Sequence, residues 1–344
     1  MSPETSEATP DHPTTSPMLD RLEAQLLGGP RTLTLAQVAE RLGADVDDLR
    51  LFWHTLGLPT GDEDAVAYAE SDVEVLSLLL DARDRYNLSP RATVSLVRSI
   101  GHTTDRLVMW QVEALVEHLT ERDGLDDRSA RLAVIGRLGE IAGLLEHQLS
   151  HAWRRQLLAT AGRFAEEFGG APEPGAKDEL PLARAVGFAD MVSFTTRSAA
   201  LGAHELAEFV QTFETRARDV VTTAGGRVVK TVGDAVLFVA DNPHLGAEVA
   251  LGLADAFGVD SATPVRVSLV WGRLLSRFGD VFGPSVNLAA RLTEQAVPGA
   301  VLLDEATADA VRGAPGVTLV PQDEREVPGL GVLRPVRLLR ADAA

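Results

Sequence analysis

The 344-residue chain contains no cysteine, which excludes disulfides and thiolate metal sites. No apolar run approaches the ~18 residues of a membrane span. The start, Met-Ser-Pro-Glu-Thr-Ser-Glu-Ala-Thr-Pro, has neither a basic nor an apolar segment. The expectation is a soluble, cytoplasmic protein with no membrane span. Positive charge is scarce too, with 32 Lys and Arg against 50 Asp and Glu and a formal net charge of −18. Residues 181–344 hold 15 cationic and 19 acidic side chains, so about −14 falls on the first 180 residues. That is a poor surface for nucleic acid or anionic lipid. Lysine is the scarcest charge of all, present only as Lys177 and Lys230. In a chain that uses arginine for every other cation, Lys230 marks a place suited to a compact ammonium rather than a planar fork; the alternative is chance on a strand edge.

Three segments of the C-terminal half carry chemistry. Ala-Val-Gly-Phe-Ala-Asp (185–190) reads as a buried strand ending in the carboxylate of Asp190. Val-Val-Lys-Thr-Val-Gly-Asp-Ala-Val-Leu-Phe-Val (228–239) reads as a hairpin hinged at Gly233, with Asp234 at its turn. Magnesium is usually held by one or two carboxylates plus substrate phosphates, so two carboxylates at strand ends could hold two ions. A lone Asp at a turn more often bonds its own backbone. In the third segment, Gly279, Gly283 and Pro284 mark a turn before a helix start at 284–294. Asn287 and Arg291, four residues apart, share one helix face. An amide and a guanidinium placed so can bind a phosphoryl group, although a pair like this, taken alone, also fits a solvent-facing stripe.

Together, Phe-Ala-Asp-Met-Val-Ser-Phe-Thr (188–195), Lys-Thr-Val-Gly-Asp (230–234) and Asp280-x-x-Gly-x-x-Val-Asn-x-Ala-x-Arg291 resemble the catalytic domain of the class III nucleotidyl cyclases over about residues 181–340. The resemblance implies that Asp190 and Asp234 hold two Mg²⁺ or Mn²⁺ ions, assisted by the Met191 carbonyl. It implies that Lys230 and Asp280 read the adenine edge, Asn287 orients the ribose and Arg291 stabilises charge on the α-phosphate. An ammonium can donate to a ring nitrogen and a carboxylate can accept from the 6-amino group, whereas guanine presents an acceptor there, so ATP is the expected substrate. The family builds its site between two catalytic domains packed head to tail, which implies a homodimer.

The coarse pattern agrees with that family's fold. A strand at 183–189 precedes an amphipathic helix with Leu206, Phe209, Val210 and Phe213 on one face. The hairpin at 226–240, a helix near 244–257 and a strand at 264–271 follow. The expected class is α+β, a ferredoxin-like β-α-β-β-α-β domain behind an all-α domain. Two further strands bracket a short helix near 305–312, and a last strand is expected at 332–339.

The expected domains are a disordered tail over 1–17, a helical regulatory domain over 18–168, a Gly/Pro-rich linker over 169–180 and the catalytic domain over 181–344. Helices are expected at 18–27, 35–42, 46–56, 72–86, 90–99, 104–122 and 128–167. Thr34-Leu-Ala-Gln37 and Ser71-Asp-Val-Glu74 have the capping-box form, and Ser89-Pro90 sets a cap before a first-turn proline. Residues 33–58 look like a winged helix-turn-helix of the MerR type, so DNA binding is a rival reading. Residues 31–83 hold four arginines and eleven acids, the reverse of what phosphate binding needs. The same stretch, with 101–112 and 151–155, is similar to the regulatory domain of the acid-sensing adenylyl cyclases of mycobacteria. His54, His102, His118, His147 and His151 lie in it, and histidine titrates in the range such control needs. The expected function is a dimeric adenylate cyclase; a catalytically silent nucleotide-binding module and a guanylate cyclase are the alternatives.

Overall fold

The computed structural model describes residues 17–62, 64–168, 182–277, 279–327 and 329–341. The chain separates into two compact units, residues 1–172 and 173–344. The expected linker and all of the expected tail except Pro17 lie outside the described residues.

The first unit is helical: α1 (Pro17–Leu26), α2 (Leu35–Leu42), α3 (Val46–Leu56), α4 (Glu70–Arg85), α5 (Pro90–Asp123) and α6 (Asp127–Phe168). The Thr34–Gln37 capping box forms, and Ser89 caps α5 ahead of Pro90. Ser71 does not cap α4. That helix starts earlier, where the Asp72 carboxylate accepts from the Ala69 N–H at 2.8 Å, while Ser71 donates to the Leu27 carbonyl at 2.6 Å. Leu33, Leu35, Val38, Leu49, Tyr68 and Leu76 form one small core, and Val116, Leu119, Ala130 and Val134 another.

The break expected between residues 99 and 104 is absent, and α5 runs on for 34 residues. The reason is Gly101. A Cβ there would sit 2.5 Å from the Leu56 carbonyl oxygen, so the glycine serves a close helix crossing rather than a helix end.

The second unit contains β1 (Leu182–Met191), α7 (Phe194–Ser198), α8 (Ala203–Thr223), β2 (Arg227–Val232), β3 (Ala235–Ala240), α9 (Pro243–Ala256), β4 (Val265–Arg277), β5 (Asp280–Phe282), α10 (Pro284–Gln295), β6 (Val301–Leu303), α11 (Glu305–Val311), β7 (Val317–Pro321), β8 (Arg325–Val327), β9 (Gly331–Leu333) and β10 (Val336–Arg340). The main sheet runs β2-β3-β1-β4-β6-β10-β7, with β5 paired to β4. Its first four strands have the expected ferredoxin-like order. The last expected strand is in fact two, β9 and β10, because Pro335 lacks the N–H a continuous ladder requires.

Side chains alternate across each strand, and the two sheet faces have separate cores. Ala185, Ala189, Met191, Val267 and Leu269 pack with α8 and α9 through Phe213, Ala217, Val221 and Leu253. Val186, Leu237 and Val270 pack with α10 through Ala289, Leu292 and Ala296. By the same alternation Asp190 belongs to the face that α10 covers.

Candidate active site

β1 ends beside the β2–β3 turn. Asp190 pairs with Ala235 on one side and Arg266 on the other, and the Met191 N–H donates to the Asp234 carbonyl at 3.0 Å. Gly233, at φ +63°, makes that turn in a conformation glycine adopts without steric cost. The two carboxylates come close enough to repel. Burial is the main influence raising the Asp190 carboxyl above its ordinary value; the Arg266 hydrogen bond opposes it and the Asp234 charge reinforces it.

Lys230 reaches the same face through a backbone irregularity. Val228 pairs with Phe238 and Lys230 with Leu237, which leaves Val229 as an extra residue. Without this bulge Lys230 would lie opposite Val236 and point to the α8/α9 face. Bulges next to functional sites commonly re-aim a side chain in this way. The Lys230 ammonium forms an ion pair with Asp280 on β5. Burial works to raise the Asp280 carboxyl, but hydrogen bonds from Lys230 and the Val281 N–H and the lysine charge outweigh it, so the carboxyl lies below its ordinary value.

Asn287 and Arg291 are exposed on α10, opposite its buried stripe of Ala289, Leu292 and Thr293. Arg291 donates twice to Glu294, at 2.8 and 3.0 Å. The six singled-out side chains thus fall into three groups: Asp190 with Asp234, Lys230 with Asp280, and Asn287 with Arg291.

Among the described residues no group of three or more His, Cys, Asp or Glu is placed to hold a metal. Asp190 and Asp234 are a two-carboxylate set in which one member is desolvated and faces a like charge. A hard divalent cation that completes its shell with substrate phosphates suits such a set. Met191 is buried, so only its backbone is available to assist.

Two partners were not anticipated. Arg266 is ion-paired with Asp190, and its Nε is buried without a hydrogen bond among the described residues. Glu294 is the partner of Arg291. The signal for Arg266 lies in Val265-Arg-Val-Ser-Leu269, where two polar residues alternate into an otherwise apolar strand; Glu294 carries no such mark.

Residues 183–338 match the family described as the adenylate and guanylate cyclase catalytic domain. The chain is 40% identical over 339 residues to an adenylate cyclase of Glutamicibacter nicotianae, covering 94% of this chain and 82% of the relative. It is 36% identical over 368 residues to an adenylate cyclase of Streptomyces coelicolor, covering 98% and 94%. A protein of Mycobacterium tuberculosis named a pH-sensitive adenylate cyclase is 29% identical, with coverage of 89% and 77%. With its ferredoxin-like core, paired carboxylates and likeness to these relatives across both units, the chain belongs to the adenylate and guanylate cyclase family.

Proposed function

We propose that the chain is an adenylate cyclase that closes ATP to 3′,5′-cyclic AMP and releases pyrophosphate by in-line attack of the ribose 3′-oxygen on the α-phosphorus. The observation that carries this reading is the meeting of Asp190 and Asp234 at the end of β1. Lys230 and Asp280 bind the adenine edge, with the ammonium donating to a ring nitrogen and the carboxylate accepting from the 6-amino group. Their mutual ion pair holds both side chains in place before the base arrives. Asn287 orients the ribose, and Arg291 leaves Glu294 to meet negative charge on the α-phosphate. Two divalent cations, Mg²⁺ or Mn²⁺, held by Asp190 and Asp234, would supply the Lewis-acid chemistry that acidifies the 3′-hydroxyl and braces the attacking and leaving oxygens.

The site is shared between two chains packed head to tail, one giving Asp190 and Asp234, its partner giving Lys230, Asp280, Asn287 and Arg291. The apolar side chains of Val232, Leu275 and Phe282 are exposed on β2, β4 and β5, which supports a covered surface there.

Purified protein given ATP and Mn²⁺ should form cyclic AMP, and Asp234→Ala should abolish it. A chain that binds ATP without turnover is the silent module instead. In a GTP comparison, Lys230→Glu should lower turnover of ATP and raise the share of GTP converted; a wild type that prefers GTP reverses the substrate assignment.

The helical unit regulates this activity in our reading, and acid is its signal. The relative named pH-sensitive aligns with 89% of this chain, and His147 and His151 are exposed one turn apart on α6. Full-length protein and residues 178–344, compared from pH 5.5 to 8, should differ in profile. Parallel profiles would remove the helical unit from acid control.

A further inference from the structure

Among the described residues, the fully buried side chains on the α10 face of the sheet are apolar apart from two hydroxyls. Ser268 on β4 is 0% exposed and Thr293 on α10 is 4% exposed. Thr307 is the other buried polar residue among those described, and it is accounted for by the Trp271 N–H and the cap of α11. Neither Ser268 nor Thr293 caps a helix; the two hydroxyls bond each other across the interface of β4 and α10.

Their geometry fixes a direction. Thr293 Oγ1 lies 2.9 Å from the Ala289 carbonyl and 2.7 Å from Ser268 Oγ. One hydroxyl has one proton, and a carbonyl can only accept, so Thr293 donates to Ala289 and Ser268 donates to Thr293. Ser268 in turn accepts from the Phe188 N–H at 3.4 Å. The β1–β4 ladder pairs 182–186 and 189–191 but skips Gly187 and Phe188, so this N–H turns to a side chain where the regular ladder lapses. Gly187 permits the approach, since a Cβ there would lie 2.2 Å from the Ser268 carbonyl oxygen.

The relay therefore runs from β1, two residues before Asp190, to α10, on the turn that carries Arg291. Apolar packing is non-directional and would let Ala289 and Leu292 slide along the sheet. Hydrogen bonds are directional and fix one register. We propose that Ser268 and Thr293 are positioning residues for the cyclisation: they set the offset of α10 from β1, and so the spacing between the two half-sites that one chain contributes to a two-fold dimer. This rests on reading the chain as a shared-site cyclase.

The test is steady-state kinetics on full-length variants, with melting temperatures measured beside them. Arg291 acts on charge that develops in the transition state, so misplacing it should lower kcat rather than raise KM. Thr293→Val, close in volume, should lower kcat about ten- to a hundred-fold with KM for ATP within about two-fold of wild type. Thr293→Ser keeps the hydroxyl and should stay within about three-fold of wild-type kcat. Ser268→Ala should lose as much as Thr293→Val, and the double variant should lose no more than either, because both break one chain. Should Thr293→Val fail to fold, Ser268→Ala alone bears the same expectation of lost kcat at unchanged KM.

An active wild type overturns the relay if Thr293→Val or Ser268→Ala keeps kcat within about two-fold, if Thr293→Ser loses as much as valine, or if the two losses multiply. A wild type that forms no cyclic AMP overturns the activity itself, a result the variants cannot mimic.

Discussion

Asp190 carries the most consequential environment in the second unit, since burial and the Asp234 charge outweigh the Arg266 guanidinium and raise its carboxyl pKa. A carboxyl raised on folding costs stability where it is ionised, and the cost disappears as pH falls through the raised value and the folded chain takes up the proton first. Metal-free Asp190→Asn should therefore be more stable than wild type at neutral pH. The gap should close on acidification toward the ordinary aspartate range. Urea midpoints in chelator across that interval measure it; a gap that widens in acid would mean that the Arg266 pair dominates. Asp280 has the opposite sign. The stability its lowered pKa confers is present above the ordinary carboxylate value and is lost as pH falls through the lowered one. At this scale the sequence was informative: the carboxylates, Lys230 as one of only two lysines in the chain and the Asn/Arg pair were all visible as residue types at suitable spacings.

At the scale of elements, small residues at crossings matter more than propensity. Gly101 sits inside α5, where an alanine would favour an isolated helix by about 1 kcal/mol. In this fold the added Cβ meets the Leu56 backbone at 2.5 Å, and backbone cannot swing aside as a side chain can. Gly101→Ala should cost about 2 kcal/mol, read as a lower urea midpoint at unchanged slope; a gain in stability would show that α3 and α5 are less closely apposed. Gly101 also falls inside the break expected between residues 99 and 104, and a glycine in a helical pattern looks alike whether it ends a helix or admits a neighbour. The bulge at Val229 is a second case. Alternation counted along β2 puts Lys230 on the wrong face, and only the pairing with β3 reveals the extra residue.

At the scale of the whole molecule, the proposed head-to-tail pair makes complementation the sharpest expectation. Asp234→Ala and Arg291→Ala should each be inactive alone. After subunit exchange a mixture should recover about a quarter of wild-type activity, since half of the dimers are mixed and each has one whole site of two. Cyclic AMP formation before and after mixing measures this, and no recovery with exchange established by a tagged subunit would place all six side chains in one chain's site.

The sequence by itself determined the family and the order of the core strands and singled out the six candidate site residues, because metal, base and phosphate chemistry each demands a particular side chain at a nearly fixed spacing. Tertiary structure alone decided which face Lys230 occupies, that Asp190 and Arg291 have Arg266 and Glu294 as resting partners, and that two buried hydroxyls join β1 to α10. Those features depend on backbone register and on contacts between residues far apart in the chain, and one extra residue in a strand is enough to reverse them.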